Sequence, residues 1–258
     1  MQLSKRMDRL ASMVTEGSSL ADVGTDHGYI PIALVQAGKV PRAIAMDINK
    51  GPLERAALHI REQHLEDRIT TRLSDGMTAL KEGEADTVLI AGMGGALTVH
   101  ILEGGAHCLA SVKELILQPQ SEIWLVREWL CEHGYKITDE DIVLDEGKYY
   151  PMMRVVHGSM KLPARGELEY GNPALQRSIG VWSAYLRAEQ GKTDGILKTL
   201  VDKNQEKSDR YVELLDKRSR MVDMLNRIPS GCGQEMKEHE MQGDYNASGA
   251  GIRKRICL

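Results

Sequence analysis

The sequence predicts an α/β fold: a parallel sheet covered by helices on both faces, closed at one edge by an antiparallel hairpin and followed by a small helical domain. Three observations predict it. Short apolar runs alternate with helix-length segments up to Gly134, the order that builds a parallel sheet. Two extended runs then follow one another across Asp145, Glu146, Gly147 and Lys148, a link short enough to require antiparallel pairing. Beyond Gly158 the composition turns helical.

The first strand ends at Val23 and delivers the chain into Gly24, Thr25, Asp26, His27 and Gly28, a tight polar turn before a helix over 29–38. Glycine permits close backbone approach there, and the helix start presents free amides. AIAMD is a second strand ending at Asp47; Pro52 then sits near the start of the helix PLERAALHIREQHL, where its missing donor costs nothing. ITTRLSD carries a third strand to Asp75, MTALKEG reads as a brief helical stretch, and DTVLIAGM is a strongly apolar fourth strand. A helix over 95–104, a strand over 114–117 and the helix IWLVREWLCEHG complete the alternating part. Trp124, Trp129 and Leu130 on that last helix are assigned to packing.

Farther on, Asn172 and Pro173 make a cap and first turn for ALQRSIGVWSAYLRAEQ, with Gly191 and Gly195 expected to break the run. Leu200, Tyr211, Leu214, Arg218, Met221 and Leu225 recur near a coiled-coil spacing. The expected organisation is one domain over 1–158, a helical or coiled-coil domain over 159–227, and a flexible tail over 228–258.

With 258 residues and 42% hydrophobic content, the chain can bury one substantial core. No apolar run has a membrane helix's length, and charges interrupt the N-terminal MQLSKRMDRLASMV, so a soluble cytoplasmic protein is expected. Cys108, Cys131, Cys232 and Cys257 lack metal spacing and read as free thiols; no metal is expected. The net charge of −4 is unevenly spread: residues 1–170 hold 18 Lys and Arg against 25 Asp and Glu, whereas 171–227 hold 11 against 8. A basic segment on an acidic body suits an anionic partner, although from charge alone an ordinary solvated hairpin is the commoner explanation.

Asp22, Asp47 and Asp75 stand at the ends of the first three strands, and in an open parallel sheet those ends face one crevice. Asp47 is placed to accept from both ribose hydroxyls, Asp75 from an adenine amine, and Asp22, with the turn amides, from the ammonium of an amino-acid end. That ligand is S-adenosylmethionine. Singly, each residue has an ordinary explanation as a turn or cap; together, in this order, they point to one cofactor. A nicotinamide dinucleotide requires Gly-x-Gly-x-x-Gly, and Asp26 inside the turn would repel its pyrophosphate. The closing hairpin agrees, by fold-level association, with methyltransferase sheets.

The stretches ADVGTDHGYIP (21–31), MDINKGPLERA (46–56), RLSDGM (72–77), IAGMGG (90–95), LILQPQ (115–120) and DEGKYYPMM (145–153) carry a resemblance. Over roughly residues 1–225 the chain resembles the bacterial tRNA (adenine(22)-N(1))-methyltransferases; the tail matches nothing expected of them. The resemblance implies a Rossmann-like class I methyltransferase domain and a helical domain that helps hold tRNA. It implies that Asp22, Gly24, Asp26, His27 and Gly28 line the methionine end of the cofactor, Asp47 and Ile48 its ribose, and Asp75 and Gly76 its adenine. Gly92 and Met93 fall where the target base meets the methyl group, with Asp26 and His27 beside them and Gly92 also bordering the cofactor.

Adenine N1 carries an in-plane lone pair, so positioning replaces a strong base, and nearby carboxylates favour the cation that develops. Ala91, Gly92, Met93 and Gly94 stand where amino-directed enzymes carry Asp or Asn and two prolines, leaving room for a flat base. N1 lies on the pairing edge, so a paired target must rotate out. Arg177, Arg187, Lys198 and Lys203 are candidate phosphate contacts. Tyr29 is a base-packing candidate that more often reads as a helix-start core residue, and His27 reads as a base contact or, preferably, as a support that orients Asp26. Gln118 and Gln120 are substrate candidates in what can also be an ordinary loop. A monomer is expected. Two other readings stay open: a class I methyltransferase for a small molecule or protein, and a non-catalytic cofactor- and RNA-binding protein.

Overall fold

A computed structural model describes residues 3–228. The chain begins with a helix, α1 (Lys5–Met13), absent from the sequence reading. Ser4 caps it by accepting the Met7 amide, and Leu10, Ala11 and Met13 turn inward. The alternating part follows as β1 (Leu20–Val23), α2 (Tyr29–Gln36), β2 (Ala43–Asp47), α3 (Lys50–Glu62), β3 (Ile69–Leu73), β4 (Thr87–Met93), α4 (Gly95–Gly104), α5 (Ala106–Leu109), β5 (Glu114–Pro119) and α6 (Ile123–Glu132). The hairpin is β6 (Tyr135–Asp145) and β7 (Lys148–His157).

These strands form one seven-stranded sheet in the order β3-β2-β1-β4-β5-β7-β6, parallel through β5 and antiparallel at the two strands of the hairpin. The expected sheet is therefore present. Its central strands are buried on both faces, which is why they read as mainly apolar runs without polar alternation. Alternate residues feed two cores: Val23, Met46, Ile90 and Leu117 meet Leu102, Val126 and Trp129 on one face, and Leu20, Ala43, Leu89 and Ile116 meet Leu10, Ile32 and Ile60 on the other. Leu130 is fully buried, while Trp124 lies under the Arg165 guanidinium, 4.4 Å from the ring centre.

The segment MTALKEG is a run of turns, not a helix. Gly76 has φ +54°, Ser74 Oγ accepts the Ala79 amide, and Arg72 bonds the Ala79 carbonyl. Met77 and Leu80 are thereby buried without a helical repeat.

The helical region comprises α7 (Arg165–Tyr170), α8 (Ile179–Asp202) and α9 (Asp209–Asn226). Asn172 caps only a single 3-10 turn, Pro173–Leu175, and α8 starts later than expected. It also runs unbroken through Gly191 and Gly195. Each glycine costs a helix about 1 kcal/mol, which side-chain packing along the same helix offsets. Leu186 and Leu197 are buried, and Trp182 packs with Met221 and Met224 of α9 and Ile142 of β6. The tail expected over 228–258 lies outside the described residues, apart from Ile228. No helix among the described residues is long and apolar enough to cross a membrane, no metal-binding cluster occurs among them, and Cys108 and Cys131 are free.

Candidate active site

The strand order reverses between β1 and β4, and their carboxyl ends open the crevice where open α/β sheets bind ligands. A cleft of about 260 Å³ lies there, walled by Asp22, Gly24, Asp26, Tyr29, Gly92 and Gln120. A further wall comes from α1 through Arg6, Met7 and Leu10. Asp47, Ile48, Asp75 and Gly76 stand at the adjoining strand tips. Asp47 closes β2, Ile48 follows it 58% exposed, and Asp75 is an exposed residue just beyond β3.

The β1 turn is fixed by backbone bonds: the Gly24 and Thr25 amides both donate to the Met46 carbonyl, each at 2.8 Å. Gly24 has φ +78°, and a Cβ there would collide with Met93 Cε. Met93 thus packs over the turn rather than lining the cleft, whereas Gly92, at φ +83° in a bulge, leaves β4's tip open. Gly28 starts α2 in a left-handed conformation, as does His27 before it at φ +63°.

His27 Nε2 lies 3.4 Å from the Asp26 carboxylate, which also receives Arg55 Nη2 at 2.9 Å. Its carbonyl bonds His59 Nδ1 at 3.0 Å. The rings of Tyr29, His27 and His59 stack within 5.0–5.4 Å of one another, so Tyr29 is neither free nor purely core: it presents to the cleft and is backed by two imidazoles.

Asp22 is buried, and burial pushes its carboxyl from 3.8 up to about 6, with the negative charge of Asp47 adding to the effect. A carboxyl raised on folding holds an extra native-state proton between those values. Its stabilising contribution is present below about 4 and is lost as pH rises through 6. Asp22→Asn is therefore expected to stabilise the ligand-free protein at pH 7 by about 2–3 kcal/mol, and hardly at all at pH 4. Denaturant melts at the two pH values measure the difference.

Arg6 was not anticipated. Its Nη1 donates to Gln118 Oε1 at 3.0 Å, its guanidinium lies 5.3 Å from the Tyr150 ring centre, and it borders the space over Gly92. Gln118 is consequently buried and engaged, while Gln120 is exposed at the cleft. The other substrate candidates lie outside the cleft lining. Arg187, Lys198 and Lys203 are exposed on α8 and its end, unpaired with any carboxylate among the described residues, but Arg177 Nε is bonded to Asp139 at 2.7 Å.

A methyltransferase-domain family model matches residues 3–153. The Bacillus subtilis tRNA (adenine(22)-N(1))-methyltransferase is 40% identical over 153 residues, 59% of this chain and 64% of that protein, so the match spans under two thirds of the curated relative. Streptococcus pneumoniae Sp1610 is 35% identical with a TM-score of 0.80, covering 87% of this chain and 100% of the other. The chain belongs to the tRNA (adenine(22)-N(1))-methyltransferase family. Within this family the B. subtilis m1A22 tRNA methyltransferase structure matches with 30% identity and a TM-score of 0.75 over 87% of this chain and 99% of its own. Sp1610 has also been crystallised with S-adenosyl-L-methionine. The likeness to Sp1610 extends beyond the sheet into the helical region, since 87% of this chain is more than the residues up to the end of β7.

Proposed function

We propose that this protein transfers a methyl group from S-adenosylmethionine to N1 of adenine 22 in tRNA. The observation that carries the reading is the cleft between β1 and β4, with acids at three successive strand tips, in a chain of this family. The donor set fits the cofactor: a buried carboxylate at Asp22 suits an ammonium, Asp47 suits a ribose diol, and Asp75 with Gly76 suits an adenine edge. No phosphate-binding glycine pattern follows β1, and Asp26 is 64% exposed there, a poor neighbour for a pyrophosphate.

When bound, the cofactor supplies an electrophilic methyl on a sulfonium. The protein's own task is placement. Gly92 keeps a side chain out of the crevice, Gly24 leaves room for Met93 over the turn and Gly28 lets the turn pack on Ala56; Asp26 and His27 shape the methionine end, and Tyr29 offers a ring face to the base. Gln120 and Arg6 flank Gly92, where they can orient the target nucleotide. Adenine N1 attacks through its in-plane lone pair and releases no proton in the transfer, which explains a site without a dedicated proton acceptor. Arg187, Lys198 and Lys203 would meet tRNA phosphates along α8; Arg177 contributes less because Asp139 holds it. The enzyme is taken to act as a monomer in the cytoplasm.

Incubation with methyl-labelled cofactor and unmodified tRNA, followed by mapping of the product, tests the reading. Label on N1 of adenine 22 is expected; label on another nucleotide, or on none, would refute it.

A further inference from the structure

Asp141, one of the buried carboxylates of β6, stands between α1, which walls the cleft, and the start of α8. Asp141 is 1% exposed. Its Oδ2 holds the guanidinium of Arg9 on α1, and its Oδ1 accepts the Ser178 amide at the start of α8 at 3.1 Å and the Ile142 amide at 2.8 Å. Both oxygens are occupied, one by each neighbouring element. Arg6 lies three residues before Arg9, on the same side of the helix, and reaches the cleft at Gln118 and Gly92. Its amide is fixed on β6 as well, donating to Asp145 at 3.0 Å. On the other side, Ser178 precedes the helix that carries Arg187 and Lys198.

We propose that Asp141 is a positioning residue that couples the cleft to the helical hairpin, holding Arg6's helix and the start of α8 in one fixed relation. A buried carboxylate cannot be left half-satisfied, so displacing either partner forces the other to shift. Arg9 reaches Asp141 from α1 with 29% of its side chain exposed, so the charge on Asp141 ties α1 to β6. The kinetic consequence rests on the tRNA reading above; the restraint itself does not.

Asp141→Asn keeps an oxygen for Ser178 while removing the charge that holds Arg9. In this variant amide exchange across 5–13 is expected to rise about tenfold, and turnover on full-length tRNA to fall about tenfold, with cofactor affinity unchanged. In an Arg6→Ala background the same substitution is expected to lower turnover no further, because the restraint then has nothing left to position. Effects that multiply instead would show a merely structural role and overturn the proposal, as would unchanged exchange in α1. Arg9→Gln loosens the same contact from the other side and supplies the same two readouts if Asp141→Asn does not fold. Should the wild-type protein transfer no methyl to tRNA, the functional reading fails, and the exchange measurement alone decides the restraint.

Discussion

Asp47→Ala is expected to weaken S-adenosylmethionine binding by about 100-fold, the loss of two hydrogen bonds to a charged acceptor at about 1.5 kcal/mol each. The ground for so large an effect is placement. Asp47 is the last residue of β2, opposite Leu73 of β3, where its carboxylate is free of any cation among the described residues and bonds only the Asn49 amide, at 2.7 Å. It is kept ready for hydroxyl donors rather than consumed by a salt bridge. Asp47→Asn keeps an acceptor oxygen but not the charge, and an intermediate loss of about tenfold is expected. Neither change should move the melting temperature much, because Asp47 is only partly buried and carries no core contact. Calorimetric titration paired with thermal melts separates lost affinity from lost fold; a large drop in melting temperature would assign Asp47 a structural role instead.

Glu140→Ala has the largest expected effect on stability, about 4 kcal/mol. Arg127 and Glu140 are both almost wholly buried, 2% and 1% exposed. Glu140 Oε1 takes Arg127 Nε at 2.9 Å and Nη2 at 2.7 Å, Oε2 takes the Asn172 amide at 2.6 Å, and Arg127 Nη1 reaches the Leu168 carbonyl at 2.8 Å. Removing the carboxylate strands a guanidinium in the interior and releases the segment leading to α8. The pair packs under Gly171, where a Cβ would approach Glu140 Oε2 at 2.8 Å and Arg127 Nη2 at 3.0 Å. Replacing both partners with methionine is expected to recover much of the loss, since the pair's own desolvation cost disappears with it. Urea unfolding of the single and double variants reads the difference directly; equal losses in both would mean that the charges are not the cause.

What the sequence disclosed followed the range of each signal. The strands and their acids are legible because period and position are local: LADV, AIAMD and DTVLIAGM are mostly apolar, and an aspartate in or at the end of such a run is visible without reference to anything distant. Alpha-1 was missed because Lys5, Arg6, Asp8 and Arg9 break the apolar reading, although Ser4 as a cap with Leu10 and Met13 spaced inward was a usable signal. Gly191 and Gly195 misled because propensity is weak against the tertiary packing of α8 on α9. The run Asp139, Glu140 and Asp141 is three consecutive acids in an extended segment, with no apolar pattern to mark it as buried. Its meaning lies in arginines far away in the chain, Arg177, Arg127 and Arg9, and no local pattern reports such partners. Arg6 is hidden for the same reason, since its place at the cleft is set by the packing of α1 on β6 and β7, far away in the chain.

The proposed mechanism depends on the tips of β1, β2 and β3 forming a site for a sulfonium nucleoside. Isothermal calorimetry on the wild-type protein tests it most directly, with S-adenosylmethionine and a nicotinamide dinucleotide titrated separately. Saturable binding of the former at one site, with no heat from the latter, is the predicted result. Clear uptake of the dinucleotide with none of the sulfonium compound would contradict it.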